Sequence, residues 1–133
     1  MKLGYTIIYV DDVQATVAFY EKAFGLQRRF VHESGQYAEM ETGKTALAFA
    51  AHEIGAANLP DGYTTRQTSS QVTTFEVVLV TQDVQAAFDR AVSEGAKSVS
   101  APTTKPWGQT VGYVQDNSGT LVELASPMDP GEG

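Results

Sequence analysis

With 133 residues, 42% of them hydrophobic and 19% charged, the chain can bury a core as one compact domain without disulfides or metal staples. Zero cysteines exclude disulfide and thiolate chemistry, and no apolar run approaches the ~20 residues needed to cross a bilayer. Sixteen acidic against nine basic residues give a net charge of -7, which disfavours nucleic acid and anionic lipid as partners and modestly favours a cationic ligand. The opening residues MKLGYTIIYVDDV carry one Lys and then two Asp, unlike a signal peptide, so the expected compartment is the cytoplasm.

In chain order, an apolar strand over Tyr5–Val10 leads into Asp11-Asp12-Val13 and a helical stretch that stops at Gly25-Leu26. Asp12 is placed to cap the free amides of the first helical turn. Val13, Val17, Tyr20 and Phe24 follow the spacing of one helical face, and Gly25 supplies the left-handed residue that ends many helices. Three short strands are predicted next, roughly 28–32, 37–41 and 45–50, with a turn at Thr42-Gly43-Lys44. Residues 52–72 are polar, contain Pro60 and Asp61-Gly62, and read as a linker or a loop over a site.

The same pattern then returns. A strand over Phe75–Thr81 leads into Gln82-Asp83-Val84 and a second helical stretch, with Val84, Phe88, Ala91 and Val92 on one face, stopping at Gly95-Ala96. Tyr5 and Glu76 are 71 positions apart, as are Asp12 and Asp83, so the strand-to-helix corner repeats in register. Strands are predicted at roughly 98–101, 110–115 and 120–125, the last two joined by the turn-forming Asp116-Asn117-Ser118-Gly119. The fold class expected is α+β. Two tandem βαβββ modules, 1–51 and 73–127, lie within a single domain spanning 1–133, joined by the linker 52–72 and followed by a short frayed tail.

The corner Tyr9-Val10-Asp11-Asp12-Val13 with Phe19-Tyr20 and Phe24-Gly25-Leu26 resembles the opening motif of the vicinal oxygen chelate superfamily, the glyoxalase, bleomycin-resistance and dioxygenase group. The run from Pro106-Trp107-Gly108-Gln109 through Asp116-Asn117-Ser118-Gly119 to Leu121-Val122-Glu123-Leu124 resembles its closing motif, with Asn117 in place of the usual Pro. Together the two motifs span nearly the whole chain. The resemblance implies that each module curls into a half-barrel and that paired halves enclose a cup. It also implies a homodimer. In metal-using members one divalent ion takes ligands from the first and last strands of each half; here those places are Tyr5, Ala48, Glu76 and Glu123.

Ala48 has no donor atom, and the Tyr5 phenol, with a reference pKa of ~10, is a poor ligand at neutral pH. Glu76 and Glu123 could hold a hard divalent ion weakly with waters, but not a firm zinc or nickel site. No resident metal or other cofactor is therefore expected.

Strand alternation places Tyr5, Ile7, Tyr9, Glu39, Glu76, Val78 and Glu123 on the cup face, and a four-residue turn at 116–119 sets Gly112 opposite Glu123. Tyr5, Glu39, Glu76, Trp107 and Glu123 are the candidate ligand-binding residues, with Glu76 and Glu123 also candidate catalytic carboxylates. Edge or solvent-facing positions for the two glutamates, and plain loop anchoring for Trp107, are the competing structural readings. His32 and His52 fall outside the ligand places, with His52 the better candidate of the two.

The favoured function is small-molecule binding of the bleomycin-resistance type. An acidic floor and the Trp107 loop would hold a cationic or aromatic ligand. The alternative is a lyase, isomerase or dioxygenase that uses Glu76 and Glu123 on a carbonyl or aromatic substrate.

Overall fold

A computed structural model describes residues 1–64 and 72–128. The chain divides into two compact units. The first runs β1 (Tyr5–Val10), α1 (Val13–Phe24), β2 (Gln27–Val31), β3 (Tyr37–Glu41), β4 (Ala46–Ala51) and α2 (His52–Asn58). The second runs β5 (Val77–Val80), α3 (Val84–Ser93), β6 (Lys97–Thr104), β7 (Thr110–Gln115) and β8 (Leu121–Ala125).

Each unit holds a four-stranded mixed sheet, ordered β1-β4-β3-β2 in the first and β5-β8-β7-β6 in the second. In both, the first strand pairs in parallel with the last and the other pairings are antiparallel. The two βαβββ modules expected from the sequence are thus present, with the same topology.

Local chemistry explains where the helices start and stop. Asp12 accepts a hydrogen bond from the Ala15 amide at 2.9 Å, and Asp83 accepts one from Ala86 at 3.0 Å. Each satisfies an amide that the first turn would otherwise leave without a partner. Gly25 at φ 69° and Gly95 at φ 109° then turn the chain out of the helices.

One face of α1 buries Val13, Thr16, Val17, Tyr20 and Ala23, with Tyr20 against Phe49 of β4 at 4.8 Å between ring centroids. Ile8, Val10, Ala38, Met40 and Leu47 complete this core. The helix of the second unit buries Val84, Phe88 and Ala91. Val92, predicted to share that face, is 38% exposed instead, because the inward stripe ends at Ala91.

Three local expectations are corrected. The segment read as a linker begins with a helix, α2, whose buried Gly55 packs inward; its polar composition and nearby Pro60 hid a helix of only seven residues. Residues 65–71 of that segment, and the part of the tail beyond Met128, lie outside the described residues. The strand predicted from Phe75 starts at Val77, leaving Glu76 just before β5. β6 runs through Pro102 to Thr104, which an edge strand with register shifts tolerates.

Candidate functional site

The turn after β7 decides what faces Glu123. Asp116 Oδ1 accepts from the amides of both Ser118 (2.8 Å) and Thr120 (2.9 Å). This draws Thr120 into the turn, so Gln115 pairs with Leu121 and the register sets Tyr113, not Gly112, opposite Glu123. The expected Gly112 pairing is therefore off by one residue, since the turn holds five residues rather than four. Gly112 answers a different constraint: a Cβ there would lie 3.1 Å from Pro102 Cγ and 3.3 Å from Phe88 Cδ2. It lets α3 and β6 approach the sheet and opens no space beside the carboxylate.

In the second unit Tyr113 donates its hydroxyl hydrogen to Glu123 Oε1 at 2.9 Å. Burial, the bond to Glu123 and nearby negative charge push the Tyr113 phenol up to about 12. Glu76 is exposed just before β5, as the solvent-facing reading expected; local desolvation and then the adjoining Glu123 carboxylate hold it above the usual carboxylate range. Glu76 therefore retains its proton more readily than a lone glutamate. None of the ion pairs among the described residues uses Glu76 or Glu123.

The first unit treats its carboxylate differently. Glu39 is 8% exposed and stands opposite Ala48, while Tyr37 stands opposite Ala50. These pairings set Tyr37 and Glu39 on one face of the sheet with Ala50 and Ala48. Tyr37 donates to Glu39 Oε2 at 2.7 Å, and Arg29 reaches Glu39 Oε1 at 3.2 Å. Arg29 also makes a two-pronged contact with Glu41 at 2.9 and 3.0 Å and donates to the Gly43 carbonyl. The irregular register between Arg28 and Phe30 is what aims this guanidinium across the sheet. Burial, reinforced by Glu39, pushes the Tyr37 phenol up to about 12.

Of the other candidates, Tyr5 pairs with Ala46 on the edge strand β1 and is 58% exposed. Trp107 projects from the turn between β6 and β7 and is 63% exposed. Its indole N–H donates to Gln109 at 3.0 Å, and Gln109 in turn donates to the Ser126 carbonyl. The structure thus brings Glu76 and Glu123 together and groups Glu39 with Tyr37 and Arg29, while Trp107 is exposed on the β6–β7 turn and held there by Gln109.

Sequence reasoning missed Tyr113 and Arg29 as partners, and it missed the contact of His52 with Asp11. That last contact had a signal: the β1–β4 register pairs Val10 with Ala51, so one step onward sets Asp11 beside His52. Among the described residues no three His, Cys, Asp or Glu side chains come together as ligands for an ion. Within each unit the residues at the family's ligand places, Tyr5 with Ala48 and Glu76 with Glu123, do not fit a firm divalent centre.

The chain belongs to the Glyoxalase/Bleomycin resistance protein/Dioxygenase superfamily, whose model matches residues 2–124. Two Bacillus subtilis (strain 168) proteins, both described as uncharacterized, are similar along nearly their whole length. YwbC is 27% identical over 129 residues, covering 92% of this chain and 95% of its own. YraH is 24% identical over 125 residues, covering 93% and 97%. The fold matches that of a glyoxalase/bleomycin resistance protein/dioxygenase family enzyme from Burkholderia phytofirmans PsJN. That comparison has a TM-score of 0.80 and 22% identity, over 95% of this chain and 98% of the other. No helix among the described residues is long and apolar enough to cross a membrane.

Proposed function

We propose that the protein binds a small organic ligand bearing a cationic group and does so without a resident metal ion. The observation that carries this reading is the Glu76–Glu123 pair with its Tyr113 donor, a carboxylate cluster with no cation among the described residues. A buried or half-buried carboxylate is stable when a cation or proton compensates it. Glu39 has Arg29 for this purpose; the second unit offers that place to a ligand. Trp107, exposed on its hairpin, supplies an aromatic surface suited to a ring or an organic cation.

A second reading rests on the raised pKa of Glu76. A carboxyl group held above the usual carboxylate range can act as general acid on a carbonyl substrate.

Fluorescence of the single Trp during titration with a panel of aromatic amines and their uncharged isosteres tests the binding reading. Saturable quenching by the amines, weakened about tenfold or more by Glu123→Gln, is the expected result. Equal quenching by charged and uncharged ligands would overturn it. Metal analysis of tag-free protein completes the test: stoichiometric nickel, zinc, iron or manganese would contradict metal independence.

A further inference from the structure

The first unit contains a cluster of titratable groups that neither reading uses. His52 Nε2 lies 3.0 Å from Asp11 Oδ1, and His52 Nδ1 lies 2.6 Å from Tyr63 Oη. The Tyr63 ring stacks on His52, with centroids 5.8 Å apart, and packs on Tyr9 of β1 at 5.0 Å. Its place is carved by Gly55, where any Cβ would fall 2.6–2.9 Å from the Tyr63 ring. A residue drawn back onto a helix in this manner is held by shape and by hydrogen bonding together.

The chemistry of the partners fixes the protons. A carboxylate only accepts, so His52 Nε2 carries hydrogen toward Asp11 and leaves Nδ1 as the acceptor for the Tyr63 hydroxyl. The His52 carbonyl, 3.4 Å from Tyr63 Oη, is a longer and weaker alternative for that hydrogen. Among the described residues no donor reaches the Oη lone pairs, and Tyr63 is half-buried rather than sealed.

We propose that Asp11, His52 and Tyr63 form a proton relay that accepts a weakly acidic hydroxyl, such as that of a phenol or an enol, at Tyr63 Oη. The ligand O–H bond breaks as its proton joins Tyr63 Oη. The Tyr63 O–H bond breaks as that proton joins His52 Nδ1. The electron pair stays on the ligand oxygen, and Asp11 holds the resulting imidazolium.

The titratable groups around the relay are Tyr9 from β1, Asp11 after it and Glu53 from α2. Burial comes first, then these groups, in raising the Tyr63 phenol above its ordinary range. A lasting phenolate is thereby disfavoured, so the two transfers occur together. Asp11 is solvent-exposed, which opens the far end of the relay to water.

4-Nitrophenol, whose anion absorbs apart from its acid, tests the relay. Titrated into the protein below the pH at which the free probe ionises, it is expected to give a saturable rise in anion absorbance. His52→Gln is expected to bind the probe without ionising it, since the amide cannot take up a proton. Tyr63→Phe removes the accepting oxygen, and Gly55→Ala displaces the ring while favouring helix. Each should reduce the rise to about a tenth or less. Circular dichroism of each variant checks that the fold is kept. No saturable rise with the native protein, or an equal rise in His52→Gln, would overturn the proposal.

Discussion

The two units repeat one topology but treat their carboxylates in opposite ways. In the first, Glu39 projects from β3 opposite Ala48 of β4; in the second, Tyr113 takes the β7 place and Glu123 the β8 place opposite it. Each unit joins one carboxylate to a tyrosine hydroxyl, at 2.7 Å and 2.9 Å. The difference lies in the third group, which is Arg29 in the first unit and Glu76 in the second. Arg29 pairs with the carboxylate of the first unit, whereas no cation among the described residues pairs with Glu76 or Glu123. The two units share one strand order but not one set of partners for their carboxylates.

The largest expected effect breaks the closed half. Arg29→Met leaves the buried Glu39 with Tyr37 as its remaining partner and should lower the urea unfolding midpoint. An unchanged midpoint would mean that Glu39 is hydrated without Arg29 and would remove the contrast between the units. Glu123→Gln should cost far less, because it relieves a like-charge contact in the open half.

Next in size is Gly112→Ala, expected to cost about 1–3 kcal/mol by forcing Pro102 and Phe88 apart. A neutral result would argue against the register that sets Tyr113 opposite Glu123. Tyr113→Phe should cost about 1 kcal/mol, and it should weaken binding of a cationic ligand by mispositioning Glu123.

The pH dependence sharpens the same comparison. Tyr37 and Tyr113 have folded values of about 12 against an ordinary 10.0, so the folded state holds their protons longer than the unfolded one. Stability is therefore lost as pH rises from about 10 to about 12, and ultraviolet titration should show both phenols ionising late. Glu76 is raised as well, so its protonated form favours the folded state. That contribution is full below the ordinary 4.5 and declines as pH rises from 4.5 through the raised folded value. Glu76→Gln should flatten that segment of the stability profile.

Much of this architecture is legible in the sequence, because hydrophobic period, Asp caps and glycine stops are local signals repeated at a fixed spacing. Glu76 and Glu123 are singled out by the family resemblance, which sets both at ligand places on the first and last strands of the second repeat. What escaped depends on single-residue details of the turns. Asp116 enlarged one turn by bonding Thr120, and that shifted Tyr113 to Glu123. An irregularity in β2 turned Arg29 toward Glu39. Neither leaves a periodic trace, and the polarity of the segment carrying Tyr63 concealed its packing on Gly55.

In the second unit Glu76 adjoins Glu123, and no cation among the described residues pairs with either. A site-resolved 13C carboxyl titration of Glu76, in the native protein and in Glu123→Gln, tests it most directly. The expected result is a Glu76 midpoint above the ordinary 4.5 that moves back toward it when Glu123 is neutralised. An ordinary midpoint in the native protein, or a raised one unaffected by Glu123→Gln, would contradict the claim.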